Sequence, residues 1–448
     1  MRRPVTDMNR DTEHRTARCR VNSHHWVWGM ACTALIMTGC TTEPARFSLN
    51  LVHLHTQDRA TPKAGEGDET AQPNLSLEAR RNIATVLDVL YGTPDAPRLP
   101  SLPEPEVLNF LEISKLERAA GPTGRDDPQG GERGLYRKHC IHCHGVNGDG
   151  AGPTAQYLNP YPRDYRMGLF KFKSTEGPNT PPTHEDLKRV LVDGVPGTAM
   201  PSFKVLDDGE IEALVHYVKY LALRGQTERQ LVQLALGVDG LYLDPQNTNR
   251  ERMAELLESV SLIAGSWQAA TASEVPPPPA NWEDEASVAR GRELFMGKTA
   301  ICYQCHGQSA LGDANRDIFD DWTKDFMGAS GVNVASYGPL RASNWHTDPK
   351  KKLLEKFYSL GALEVRPLKP RNLRRGVYRG GRRPVDLFRR VRNGILGYMP
   401  AAKRVEDAED FTGLVDDDVW HVVAYVRSLP FEKITEPSEV IRFQRDLP

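Results

Sequence analysis

RKHCIHCHGVNGDG, residues 137–150, sets two cysteines three positions apart and a histidine directly after the second: Cys140, Cys143 and His144. A second copy, Cys302-Tyr303-Gln304-Cys305-His306, lies far downstream and is also followed by glycine. A thioredoxin-like redox pair needs a βαβ setting, and neither flank offers one. Structural zinc needs four ligands in one place, and a domain's length of chain separates the two pairs. A local disulfide leaves the histidine unexplained.

Covalent haem c accounts for all three residues. Two thiols add to the haem vinyl groups, and the histidine after them binds the iron. Two copies in matching surroundings favour this reading over zinc or disulfide. Of the seven cysteines, four are in the motifs. The other three, Cys19, Cys32 and Cys40, fall in the N-terminal segment.

A distal ligand belongs downstream, and a soft thioether suits an electron carrier. VDGVPGTAMPSF contains Met200-Pro201 and RNGILGYMPAA contains Met399-Pro400. Each methionine follows a glycine-bearing turn and precedes a proline. Packing in a core is the commoner fate of methionine, but the equivalent placement argues for ligation. Met167 and Met327 are weaker candidates.

The two halves repeat beyond these motifs. PRDYRMGLF from Pro162 matches PRNLRRGVY from Pro370, and DLKRVLVDG from Asp186 matches DLFRRVRNG from Asp386. After each methionine comes an acidic start and an amphipathic helix, from Asp207 and from Asp416; acidic residues suit a helix N-terminus. Before each motif lies a glycine and an aromatic, ending at Tyr136 and Phe295.

At these residues the chain resembles the class I c-type cytochromes twice, over about 127–223 and about 284–431. The resemblance implies an all-α fold, two tandem domains joined by a helical and proline-rich linker. It implies two haems c held by Cys140 and Cys143 and by Cys302 and Cys305. It implies proximal ligation by His144 and His306 and distal ligation by Met200 and Met399. The second domain is longer, with an insertion from about Asp313 to Leu368 that includes Trp322, Trp345 and His346; Met327 or His346 within it is an alternative ligand. His139 and His142 read as surface residues. His216 and His421 read as exposed or partly buried helix residues rather than ligands.

Residues 1–25 are rich in arginine, and an apolar run follows from Trp26 to Gly39. The run is shorter than the roughly 20 residues of a membrane span and suits an export signal. Met37-Thr38-Gly39-Cys40 resembles a bacterial lipoprotein signal, which implies lipidation at Cys40. An ordinary cleaved signal and an uncleaved anchor are the alternatives.

The expected order is export signal 1–39, tether and helical extension 40–126, cytochrome domain 127–223, linker 224–283, cytochrome domain with insertion 284–431 and tail 432–448. Residues 41–74 read as a disordered tether. Ser76 caps a helix. TERQLVQLALG and RERMAELLESVSLIAGSW read as two short helices, and EVPPPPANW as an extended linker.

Arginines between Arg366 and Arg392 crowd the approach to Met399. They read either as a solvated loop with one or two arginines on haem propionates, or as a docking face for an acidic redox partner. The net charge of −2 gives no case for nucleic acid. The functional expectation is a periplasmic, lipid-anchored dihaem cytochrome that relays single electrons and is not an enzyme. The alternatives are a dihaem cytochrome c peroxidase and an electron-transfer subunit of a respiratory or dehydrogenase complex.

Overall fold

The computed structural model describes residues 45–60, 75–126, 131–236, 250–315, 318–320, 322, 349–404 and 413–432. The expected signal, Cys40, Met327, Trp345, His346 and the tail beyond residue 432 lie outside them. The described chain is all-α. Its helices are α1 Leu51–Ala60, α2 Leu77–Tyr91, α3 Ile113–Ala119, α4 Leu135–His139, α5 Ile141–His144, α6 His184–Asp193 and α7 Asp208–Leu236, then α8 Arg250–Gln268, α9 Glu285–Met296, α10 Tyr303–His306, α11 Pro349–Ser359, α12 Pro384–Asn393 and α13 Asp416–Ser428. The only strands among the described residues form a two-residue hairpin, Arg125–Asp126 with Glu132–Arg133. No described helix is long and apolar enough to cross a membrane.

Each repeat has its own core. In the second, α9 crosses α13 with Phe295 against Tyr425 at 5.4 Å between ring centroids. Gly291 permits the crossing, since a Cβ there would lie 1.9 Å from the His421 carbonyl oxygen. The first repeat makes the equivalent contact, Tyr136 against Tyr217 at 4.9 Å. Its N-terminal helix is not continuous, however. α3 stops, the hairpin intervenes, and α4 restarts after Gly134 in the left-handed region.

The first core extends past 127–223 on both sides. α2 starts at Ser76, whose side chain accepts the Ala79 N–H. Ile83, Val86, Leu87 and Leu90 of α2 are buried in this core, as are Leu256, Val260 and Trp267 of α8. α7 runs unbroken through Gly225, where two helices were expected. That glycine serves a close approach, not a break: a Cβ would lie 2.2 Å from Arg166 Cα.

The expected tether is also ordered in part. Residues 45–60 lie on the first core, with Phe47 tilted against Tyr220 and Leu54 buried. Its few apolar side chains suffice because they meet an apolar surface. Val52 of α1 also packs with Phe319, Leu354 and Phe357 of the insertion. The proline-rich strap is extended and touches both repeats. Ser273 N–H donates to the Ser174 carbonyl, and Trp420 Nε1–H donates to the Pro276 carbonyl.

Candidate functional site

Cys140 and Cys302 sit at the starts of the one-turn helices α5 and α10. Burial pushes the Cys140 thiol up to about 12 and the Cys302 thiol to about 11. No disulfide joins the four motif cysteines. His144 is buried, and its Nδ1 lies 3.1 Å from the Arg163 carbonyl oxygen. His306 Nδ1 lies 3.1 Å from the Arg371 carbonyl oxygen. A carbonyl only accepts, so in both rings Nδ1 carries the proton and Nε2 keeps a free lone pair. Burial lowers His144 to about 4 and lowers His306 as well, so both rings stay neutral near pH 7.

The two carbonyls belong to the repeated Pro-Arg pair. The arginines fold back alike: Arg163 Nε donates to the Leu169 carbonyl and Arg371 Nε to the Val377 carbonyl. Tyr165 stacks on His144 at 4.7 Å. Sequence reasoning found the repeat but not this role, because a backbone carbonyl leaves no residue-type signal.

The methionine loops hang from α6 and α12. Thr183 and Asp186 form a capping box on α6, and on α12 the Asp386 carboxylate accepts the Arg383 N–H. Each helix ends at a glycine with positive φ, Gly194 and Gly394. The Val195 N–H donates to the Met200 carbonyl and the Ile395 N–H to the Met399 carbonyl. A Cβ on Gly394 would lie 2.4 Å from the Met399 carbonyl oxygen, and one on Gly194 would lie 2.8 Å from that of Met200.

The eight expected side chains, four Cys, two His and two Met, line one continuous cavity of about 640 Å³. Arg371 ties its two halves. Its carbonyl receives His306, and its NH1 lies 3.4 Å from the Gly197 carbonyl oxygen in the Met200 loop. Arg189 lies between the two capping carboxylates, 3.3 Å from Asp186 and 3.1 Å from Asp386.

Most of the arginine cluster is engaged within the chain. Arg366 donates to the Leu158 and Gln156 carbonyls, Arg390 to the Lys173 carbonyl and Arg389 to the Ser273 carbonyl. Arg392 pairs with Glu176 and Asp416. Lys369, Arg375 and Arg382 remain exposed.

Of the other histidines, His142 is exposed. His139 is half-buried rather than superficial; it lies edge-on to Phe203 and lines the cavity. His216 is buried, because its Nδ1 accepts the Glu112 N–H. His421 is half-buried, with Nδ1 2.7 Å from Ser287 Oγ. His184, Glu212 and His216 converge as a metal site would. Lys219 Nζ occupies His184 Nδ1, however, and Lys188 Nζ is 3.0 Å from Glu212. The backbone amide takes the His216 lone pair at Nδ1 and leaves Nε2 protonated. The cluster is an ion-pair network.

Residues 131–222 match the family model for cytochrome c. The first repeat is thus a cytochrome c domain, a family that carries covalent haem c and serves haem-based electron transfer. Comparison with curated proteins finds no match. A chain of the reducing HAO-like protein complex of Kuenenia stuttgartiensis aligns at 21% identity over 66% of this chain and 93% of that chain. The TM-score is 0.41.

Proposed function

We propose that the chain is an exported dihaem cytochrome c that relays single electrons. One haem is held by Cys140 and Cys143 with His144 and Met200, the other by Cys302 and Cys305 with His306 and Met399. The observation that carries the reading is the single cavity lined by both motifs. Each bound haem would supply a one-electron iron couple. The chain's residues would do the rest. Arg163 and Arg371 keep Nε2 of each proximal histidine deprotonated and aimed for ligation. Leu187, Leu191, Val391 and Val423 make the walls apolar and exclude water. Met167 follows the segment that grips His144 on its proximal side, which favours Met200 as the distal ligand.

Intact mass after expression with haem-attachment machinery tests this. The expected mass carries two haems, and Cys302→Ser with Cys305→Ser should leave one. A parent protein with one haem would sink the dihaem reading. We also propose that Cys40 is lipidated and tethers the protein on the periplasmic side of a membrane. Cys40→Ala should then appear in the soluble periplasmic fraction; persistence in the membrane fraction with the signal intact would make the apolar run itself the anchor. Exposed Lys369, Arg375 and Arg382 support docking of a redox partner with an acidic face.

A further inference from the structure

Two buried donors on residues that line the cavity meet no acceptor. His53 of α1 is 5% exposed. Its Nδ1 lies 3.1 Å from Arg229 NH1, which can only donate, so the ring proton is on Nε2. That N–H is buried and has no protein partner. Trp322 Nε1–H, a donor by nature, is likewise buried and unpartnered. It faces the turn at Gly150, where a Cβ would lie 2.8 Å from it and 3.1 Å from Arg163 C. Arg166 stands over the Trp322 ring at 5.8 Å. It is already paired with Asp164 through two hydrogen bonds, so it steadies the indole rather than binding a ligand. His53, Arg166, Arg229 and Trp322 all line the cavity.

A buried N–H without an acceptor is costly, and native proteins rarely leave one. Two such donors, His53 beside Arg229 and Trp322 under Arg166, suit an anionic acceptor. The cofactor implied for this cavity brings one, because haem carries two propionate carboxylates. We propose that His53 Nε2–H and Trp322 Nε1–H hold a propionate of the haem attached at Cys140 and Cys143. The proposal rests on the dihaem reading. Neither donor lies in the matched segment 131–222. His53 comes from the N-terminal extension and Trp322 from the insertion in the second repeat, so the first haem's edge is closed by chain from outside its own domain. Both residues are positioning residues. They compensate the carboxylate charge, and their loss should favour the ferric state.

Full-length dihaem protein tests this, with haem 13C-labelled at the propionate carboxylates. Trp322→Phe keeps the ring and deletes the donor; His53→Leu deletes the other, and His53→Gln retains one. Potentials come from spectroelectrochemistry, and the carboxylate bands from redox-difference infrared spectra. Trp322→Phe and His53→Leu should each lower one potential, leave the other unmoved and shift a labelled carboxylate band. His53→Gln should stay nearer the parent. Variants that hold two haems by mass with unmoved labelled bands overturn the proposal, whatever the potentials do. A parent mass lacking the haem at Cys140 and Cys143 overturns the dihaem reading itself.

Discussion

His144 and His306 differ from the other described histidines by one contact, a Pro-Arg carbonyl on Nδ1. His216 and His53 show the reverse arrangement, with Nδ1 accepting from an N–H. The tautomer of these two therefore differs from that of the candidate ligands, and the partner that sets it is distant in sequence. The methionines are tested more directly. Met399 is partly buried against the second core and Met200 against the first. Met399→Ala should lower one haem potential, leave the other near its parent value and let one ferric site bind cyanide. Spectroelectrochemical titration with and without cyanide reads both effects. Unchanged potentials would remove Met399 from the ligand set.

On α6 and α12 the carboxylates of Asp186 and Asp386 each accept the N-cap N–H, and Arg189 joins them. At Asp386, burial pushes the carboxyl pKa up. The Arg383 hydrogen bond and the charges of Arg383, Arg189 and Arg390 outweigh it and hold the group below 3.8. A depressed folded pKa contributes stability that is complete above the unfolded value of about 3.9 and is lost as pH falls through the folded value. Asp386→Ala should cost about 2 kcal/mol at pH 7, from the lost cap and charged hydrogen bonds. The gap to the parent should narrow below pH ~4. Urea unfolding at pH 7 and pH 3 checks this, and an equal gap at both would mean that the ionised carboxylate contributes nothing.

At the scale of the molecule, the first repeat is completed by segments around it. Leu87 and Leu116 come from before residue 127, and Leu256 and Val260 from after 223; all four are fully buried. Burying each such side chain contributes about 1.5–3 kcal/mol, and a domain's net stability is only about 5–15 kcal/mol. A fragment of residues 127–223 should therefore fail to unfold cooperatively by circular dichroism, whereas 45–272 should do so. A cooperative transition in the short fragment would show that the flanking helices are accessory.

The sequence by itself determined where the candidate sites lie. Cys-x-x-Cys-His needs only local spacing, and the repeat of Pro-Arg, Asp-to-Gly and Met-Pro placed two equivalent sites on an all-α chain. Helix caps such as Ser76 were legible for the same reason, since a cap acts within three residues. Only the tertiary structure decided what surrounds those sites. Residues 208–236 read as two helices where the structure has one, and the arginines read as a surface until carbonyls and carboxylates of the other repeat met them. His53 and Trp322 carried no signal at all. Their significance is a missing partner, and whether a buried donor lacks one depends on segments hundreds of residues apart packing around the same cavity.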